Sequence, residues 1–240
     1  MFPVRRRHPR QIPSGLNGHS RGGKKHYHKA RCLIVSSRQY LSYPVKELLD
    51  TLAGVDPVPG GGSAAAVAGA LGASCISKVA TIALSRRKKG LSDEERIQQE
   101  SRLSAFLEEA EVLRDRMEGL VERDAACFQR VVDSWGASRS GSTVSPAEKT
   151  AALKECVETS LALCQMCCEG LFVAQRLLDC LTSTYLESDL GVACELMRGA
   201  FNASGALIDA NLRSIGEEAY TEAVLEKLRR WRPNEEEATE

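Results

Sequence analysis

The chain has 240 residues, of which 43% are apolar and 27% charged, so it can bury one substantial core and we expect one folded domain. The formal charge is zero, but residues 1–40 contain ten Lys and Arg and no acid, which leaves 32 acidic against 22 basic residues in 41–240. All four histidines also lie in residues 1–40, which excludes Ser-His-Asp and Cys-His catalysis and His-containing zinc sites from the rest of the chain. Acid-base chemistry there falls to Asp, Glu, Lys, Tyr or Cys.

The basic segment 1–40 is rich in Pro and Gly and has no sustained apolar period, so we predict a disordered N-terminal extension. The alternatives are an organelle transit peptide, because the segment is Arg-rich and acid-free, and a polyanion-binding arm. The nine cysteines are not spaced like a secreted disulfide framework, which favours a reducing compartment. We therefore expect a cytoplasmic protein, with organelle import through the extension as the alternative.

From residue 41 the chain has the pattern of successive helices. Two segments, Ser92 to Glu95 and Ser145 to Glu148, have the form of capping boxes, and no alternating β-type run appears. Residues 136–146 form the one clear long loop. The predicted fold is an all-α bundle of about six helices in a domain spanning 41–240, with helices at 43–54, 62–88, 93–135, 146–182, 188–214 and 216–231.

The stretch "DPVPGGGSAAAVAGALGAS", Asp56 to Ser74, begins the second helix. Gly60, Gly61 and Gly62 free backbone N–H groups at the helix N-terminus, and Ser63 is predicted to cap it, which is typical of an anion-binding site. No GKS or GKT follows and no strand precedes, so this is not a nucleotide-binding loop.

The same helix has an alternative interpretation, in which its small residues allow close packing against helices of this chain or of a second subunit. These residues are Ala65, Gly69, Gly72 and Ser77. The helix is long enough to cross a bilayer, but Lys78 would be costly there, which favours a core helix and no membrane association. Arg86, Arg87 and Lys88 follow at its end, where cations suit the helix dipole.

Asp124 lies on the apolar stripe of the long third helix, three residues after Val121 and four before Phe128. The period that buries those side chains turns this carboxylate inward. A buried carboxylate must be hydrogen-bonded, paired or functional. The sequence leaves a structural ion pair and a catalytic acid both open.

On the fifth helix Ser188 is predicted as the N-cap, with Asp189 in the first turn, where it complements the dipole. Further along, the inward stripe reaches Asn211. Two polar side chains turned inward on different helices, Asp124 and Asn211, suggest a shared pocket. Three cysteines at 164, 167 and 168 lack the partners of a zinc site and are predicted as small core residues.

In chain order, the segments "PGGGSAAAVAGALGA", a basic pair ending that helix, "LVERDAACF", "SDLGVA" and "NLRSI" resemble the cyclodeaminase/cyclohydrolase family. That family includes the C-terminal half of formimidoyltransferase-cyclodeaminase. The resemblance extends from about Tyr43 to Arg230, and the PGGGS and SDxGVA elements are its most specific parts.

The resemblance implies an all-α homodimer that acts on tetrahydrofolate derivatives. The reaction is closure of 5-formimidoyltetrahydrofolate to 5,10-methenyltetrahydrofolate with loss of ammonia, or hydrolysis of the methenyl form to 10-formyltetrahydrofolate, without a metal or any further cofactor. A separate formimidoyltransferase is a possible partner, whereas a nucleic-acid partner is not expected for the domain.

By the same match Asp124 falls at the proposed catalytic acid. We expect Asp189 to hold the N–H groups of the pterin or to assist proton transfer, and we expect the loop Gly60–Ser63, with Arg86 to Lys88, to bind the anionic glutamate tail. Ser188 and Asn211 complete the predicted substrate-binding residues.

The sequence departs from the family pattern at Ser183, Cys164, Lys78 and Leu207, which stand in place of the usual Asn, Pro, Met and Asn. These departures motivate an alternative function: a non-catalytic helical dimer of the same fold that binds folate or a partner helix.

Overall fold

The structure, a computed structural model, describes residues 39–86, 90–139, 145–181 and 183–231. Within these ranges a short 3-10 turn, Tyr40–Ser42, precedes six α-helices, and there is no β-strand. The helices are α1 Val45–Leu52, α2 Gly61–Ser85, α3 Asp93–Arg139, α4 Pro146–Leu178, α5 Thr184–Ile215 and α6 Glu218–Trp231. The predicted all-α bundle is confirmed.

The capping boxes form as the sequence predicts. At the start of α4, Ser145 Oγ accepts from the Glu148 N–H, and the Glu148 carboxylate accepts from the Ser145 N–H. Ser92 and Glu95 make the same reciprocal bonds at the start of α3, and the backbone bond from Ser92 is the main reason why the pKa of Glu95 is lowered. Local chemistry alone therefore fixes where these two helices begin.

The core lies among four long helices: α2 packs against α3 and α5, and α4 packs against the same two. The small residues of α2 permit this packing within the chain. A Cβ added at Gly69 would lie 3.0 Å from Met117 Sδ of α3, and one at Gly72 would lie 3.1 Å from the Ala193 carbonyl of α5. Ala65 and Ser77 are buried as well. Gly69 and Gly72 therefore allow close contact with helices of the same chain, and Ala65 and Ser77 are buried within it.

Two of the core helices, α2 and α4, are also long and apolar enough to cross a membrane by length and composition. Both supply buried side chains to the core cluster. Cys164 and Cys167 of α4 belong to that cluster, where burial raises the pKa of Cys164 to about 12. Their prediction as core residues is confirmed.

Several predicted helix ends are wrong. The third helix continues through Gly136 to Arg139, because a lone Gly lowers helix stability without ending a helix. The second ends at Ser85 and not at 88, and the fifth begins at Thr184 and not at Ser188. The apolar period of α3 continues past Phe128 to Trp135, but Trp135 is 46% exposed.

Tyr40 marks the start of the described domain. Its side chain is 2% exposed within the core cluster, and its N–H donates to the Glu122 carboxylate of α3. The structure thus places Tyr40 with the helical domain, although the sequence assigned it to the N-terminal extension. The prediction of disorder for the extension falls on residues 1–38, which lie outside the described residues.

Candidate active site

The carboxylate of Asp124 lies at the N-terminus of α2. Asp124 projects from α3, and its Oδ2 is 3.0 Å from Ser63 Oγ. The Ser63 N–H also donates to this carboxylate, as free N–H groups in a first helical turn do. Ser63 Oγ is in addition 3.1 Å from the Val121 carbonyl, so its hydroxyl has two alternative acceptors.

This geometry corrects the predicted role of Ser63. The N-cap of α2 is Gly60, the helix begins at Gly61, and Ser63 is 1% exposed with its side chain turned toward α3. A side-chain cap at Ser63 was predicted from residue type alone. The long-range contact with Asp124 is what holds the hydroxyl.

The glycine at position 62 is required by the same contact. A Cβ added there would lie 1.9 Å from Asp124 Oδ1 and 2.4 Å from its Cγ, so the carboxylate occupies the space of the missing side chain. The glycine loop therefore binds an anion that the chain itself supplies.

The environment of Asp124 favours the protonated form of its carboxyl more than water does. Burial raises the pKa of this carboxyl, and the hydrogen bonds from Ser63 lower it by less. No Lys or Arg of the described residues is among the groups that shift the pKa. A structural ion pair, one of the two interpretations open from sequence, thus has no cationic partner in this part of the chain.

Beside the carboxylate is a small cavity with about 10 Å³ available to the centre of a water molecule. It lies among the four core helices, and its lining residues are Gly62, Ala66, Leu120, Asp124, Thr159, Ser160, Leu163 and Ser204. Thr159 Oγ1 donates to the Glu155 carbonyl at 2.9 Å, and Ser204 Oγ donates to the Ala200 carbonyl at 2.8 Å. Thr159 and Ser160 were not identified from the sequence. The only feature that could have indicated them is that two adjacent polar residues fall on the buried face of α4.

Two cysteine thiols lie beside the backbone of Asp124. Cys127 Sγ donates to the Asp124 carbonyl at 3.2 Å, and Cys156 Sγ of α4 is 3.1 Å from Cys127 Sγ. Sequence reasoning did not identify this pair either. Nothing in the sequence places positions 127 and 156 opposite each other before α3 and α4 pack.

The second predicted carboxylate, Asp189, is at the other end of α2. Its Oδ2 is 2.8 Å from Lys78 Nζ, and the two side chains are 27% and 55% exposed. The hydrogen bond to Asp189 raises the pKa of Lys78. Nearby, Arg86 Nη1 donates to Ser183 Oγ at 3.3 Å.

Ser188 is not the N-cap of α5. It lies inside the helix, and its hydroxyl donates to the Tyr185 carbonyl at 2.8 Å. The helix starts at Thr184, four residues earlier than predicted. Its N-cap is Ser183, whose side chain makes no capping hydrogen bond. Asp189 is therefore in the second turn.

The remaining predicted residues divide between the two ends. Leu207 of α5 lies near the N-terminus of α2, since its Cδ2 is 3.8 Å from the position of a Cβ added at Gly61. Asn211 is half-buried one turn further along α5, so it lies at the same end of α2 as Asp124. Arg87 and Lys88 lie outside the described residues. Among the residues that are described, no group of three or more His, Cys, Asp or Glu side chains is arranged to hold a metal ion.

The model of the formiminotransferase-cyclodeaminase family matches residues 44–230. The chain belongs to this family. A methenyltetrahydrofolate cyclohydrolase of Methylorubrum extorquens is 27% identical over 187 residues, which are 77% of this chain and 86% of that protein. The solved structure of formiminotetrahydrofolate cyclodeaminase from Thermotoga maritima has a TM-score of 0.69 and 25% identity, covering 80% of this chain and 89% of that one.

In this member of the formiminotransferase-cyclodeaminase family, the two predicted carboxylates do not meet within one chain. Gly62 contacts Asp124 and Lys78 contacts Asp189, and sixteen residues of α2 separate these contacts, about 24 Å at ~1.5 Å per residue. One chain alone therefore cannot apply both carboxylates to a single reacting carbon.

Proposed function

We propose that the chain is a folate one-carbon enzyme that converts 5-formimidoyltetrahydrofolate to 5,10-methenyltetrahydrofolate and ammonia, or hydrolyses methenyltetrahydrofolate to 10-formyltetrahydrofolate. Both relatives described above bear the names of these reactions. The observation that carries the proposal is Asp124: a half-buried carboxyl without a cationic partner among the described residues, held by Ser63, with its pKa raised by partial burial.

Cyclodeamination requires an acid of this kind. When the nitrogen at position 10 of the folate attacks the formimino carbon, its own N–H proton passes to the imino nitrogen, which becomes an amine. The tetrahedral adduct then expels ammonia only after this amine takes up a further proton. Asp124 donates this proton. The carbon–nitrogen bond to the amine then breaks, and the electron pair of a ring nitrogen completes the methenyl bridge.

The hydroxyl of Ser63 suits both protonation states of Asp124. While Asp124 carries its proton, that proton can be donated to Ser63 Oγ, and the Ser63 hydroxyl donates to the Val121 carbonyl 3.1 Å away. After proton transfer, the Ser63 hydroxyl donates to the new carboxylate. Each state is satisfied by rotation of one O–H bond, so little reorganisation is needed during turnover.

We also propose that the active form is a homodimer in which Asp124 of one subunit and Asp189 of the other share a site. The outward face of α2 carries Leu71, which is 53% exposed, and the Lys78–Asp189 pair is flanked by Tyr185 and Val192, which are 68% and 55% exposed. Antiparallel pairing of two α2 helices along this face would bring opposite ends of α2 together. A cytoplasmic location and a separate formimidoyltransferase partner remain proposals from the sequence.

The second candidate is a non-catalytic dimer of the same fold that binds folate or a partner helix. The observation that favours it is the Lys78–Asp189 ion pair, since Lys78 stands where the family pattern has Met and engages the carboxylate expected to hold the pterin. In that case Asp124 would be retained for its contact with Ser63 alone.

The test is to follow absorbance at the methenyl band with each folate added separately to the full chain. Cyclodeamination makes the band appear from 5-formimidoyltetrahydrofolate, and hydrolysis makes it disappear from methenyltetrahydrofolate faster than in buffer. Folate binding by calorimetry without either change would support the non-catalytic dimer. Light scattering at micromolar concentration tests the dimer, and a monomer would exclude a shared site.

A further inference from the structure

Ser160 is a residue of α4 that is almost completely buried and whose hydroxyl has no hydrogen-bond partner in the described part of the chain. The residue is 6% exposed and lines the cavity beside Asp124. Across residues 39–86, 90–139, 145–181 and 183–231, no group forms a hydrogen bond with its Oγ. A buried hydroxyl without a partner is costly, so such groups usually contact ordered water or a ligand.

The hydroxyls around the cavity differ in which of them has a free proton. Thr159 and Ser204 donate their protons to the carbonyls of Glu155 and Ala200 in their own helices. The same two hydroxyls also contact the thiols of Cys127 and Cys164, so neither has an uncommitted proton. Ser160 has an uncommitted proton and can donate. Asp124, when ionised, is acceptor-only.

The cavity has the size and the polar partners that one water molecule needs. About 10 Å³ accessible to a water centre corresponds to roughly one water, and an ordered internal water makes two to four hydrogen bonds. A water here accepts from the Ser160 hydroxyl and donates one proton to the Asp124 carboxylate. In that orientation the second lone pair of the water oxygen points away from Ser160 and Asp124.

We infer that Ser160 is a positioning residue that holds the nucleophilic water of methenyltetrahydrofolate hydrolysis against Asp124. This inference rests on the proposed function and assigns the hydrolytic branch of it to a specific water site. The water oxygen forms a bond to the methenyl carbon, and one of its protons passes to the Asp124 carboxylate. The neutral adduct then collapses: the nitrogen at position 5 takes the proton from Asp124, its bond to the carbon breaks, the hydroxyl proton leaves to solvent, and the formyl C=O forms.

The two reactions of the proposed function differ in their need for this water. Hydrolysis consumes one water, whereas closure of the formimino group consumes none. Removal of the Ser160 hydroxyl should therefore reduce hydrolysis selectively, which a general loss of stability cannot do. For a mispositioned nucleophile we expect a loss of about 10- to 100-fold in kcat of hydrolysis.

The experiment measures both activities of the full chain in wild type, Ser160→Ala, Ser160→Thr and Ser204→Ala, with melting temperatures on the same preparations. Ser160→Ala should lower kcat for hydrolysis while cyclodeamination changes less than about threefold, and Ser160→Thr, which keeps the hydroxyl, should restore hydrolysis. Ser204→Ala removes a cavity hydroxyl whose proton is already donated, so its loss of hydrolysis should be much smaller. Equal losses in both reactions, or equal effects of Ser160→Ala and Ser204→Ala, would overturn the inference.

A high-resolution crystal structure of the wild-type chain separates this inference from the proposed function. It should contain one ordered water within hydrogen-bond distance of Ser160 Oγ and an Asp124 carboxylate oxygen, and Ser160→Ala should lose that water. A dry cavity in the wild type overturns the inference even where both reactions occur. A wild type without either reaction overturns the proposed function, and the inference with it.

Discussion

The two ends of α2 each contact an aspartate from another helix, and the two aspartates have opposite environments. Asp124, at the N-terminus, is half-buried against Ser63 and the bare backbone of Gly62, and partial burial raises its pKa. Asp189, near the C-terminus, is partly exposed and paired with Lys78 at 2.8 Å. The same side chain is thus suited to proton transfer at one end and engaged in an ion pair at the other, because only Asp189 has a cation beside it among the described residues.

The largest expected effect is that of Asp124→Asn. The amide keeps the shape and accepts from Ser63 but cannot transfer a proton, so turnover should fall by about 10²- to 10⁴-fold, with the loss in kcat and little change in KM. The measurement is methenyl-band kinetics together with the melting temperature. A fully active but less stable variant would contradict the catalytic role.

The same variant has a predicted pH signature. Because burial holds the pKa of Asp124 above its unfolded value, the folded state binds this proton more tightly, and wild-type stability falls as pH rises through the two pKa values. Asp124→Asn removes this pH-dependent contribution to the free energy of unfolding. The melting temperature of the variant relative to wild type should therefore increase as pH rises from about 3 toward 7.

The next effect is that of Gly62→Ala, with Gly61→Ala as its matched control. The added methyl at 62 would lie 1.9 Å from Asp124 Oδ1, so the carboxylate must move; at 61 the nearest atom is Leu207 Cδ2 at 3.8 Å. Gly62→Ala should lower kcat by about 10²-fold and stability by about 1–3 kcal/mol. Gly61→Ala should stay close to wild type in both. Equal behaviour of the two variants would show that the Gly62–Asp124 contact is not needed.

The smallest effect is expected at the other end of α2. Asp189→Asn removes an exposed ion pair, so the melting temperature should hardly change. The loss of one hydrogen bond from a charged group to the substrate should still raise KM by about 10-fold. Lys78→Met, which restores the residue usual in the family, should not raise KM. A raised KM in Lys78→Met would show that the ion pair itself supports binding.

Mixed dimers test whether the two ends meet between subunits. If Asp124 of one subunit and Asp189 of its partner form one site, then mixing inactive Asp124→Asn with Asp189→Asn chains produces dimers with one intact site. At substrate concentrations well below the KM of Asp189→Asn, activity should then rise above that of either variant alone. If instead each site lies within one chain, mixing yields only the average of the two activities.

The sequence by itself determined the helices that carry local signals. The capping boxes at Ser92 and Ser145 form as predicted, since the groups that satisfy them are three residues apart. Asp124 was identifiable because a 3.6-residue period directs its side chain to the same face as Val121. Signals of this kind need no partner from elsewhere in the chain.

What required the tertiary structure was every contact between distant positions. Ser63 was predicted as a cap and is instead the hydrogen-bond partner of a carboxylate 61 residues away. Ser160 was not identified from the sequence, because its role depends on the residues of α2, α3 and α5 that line the same cavity. Asp124 and Asp189 were assigned to one site from family resemblance, yet they contact α2 at Gly62 and at Lys78, positions about 24 Å apart along the helix at ~1.5 Å per residue. Helical periodicity specifies which face a side chain occupies, but only packing decides what that face meets.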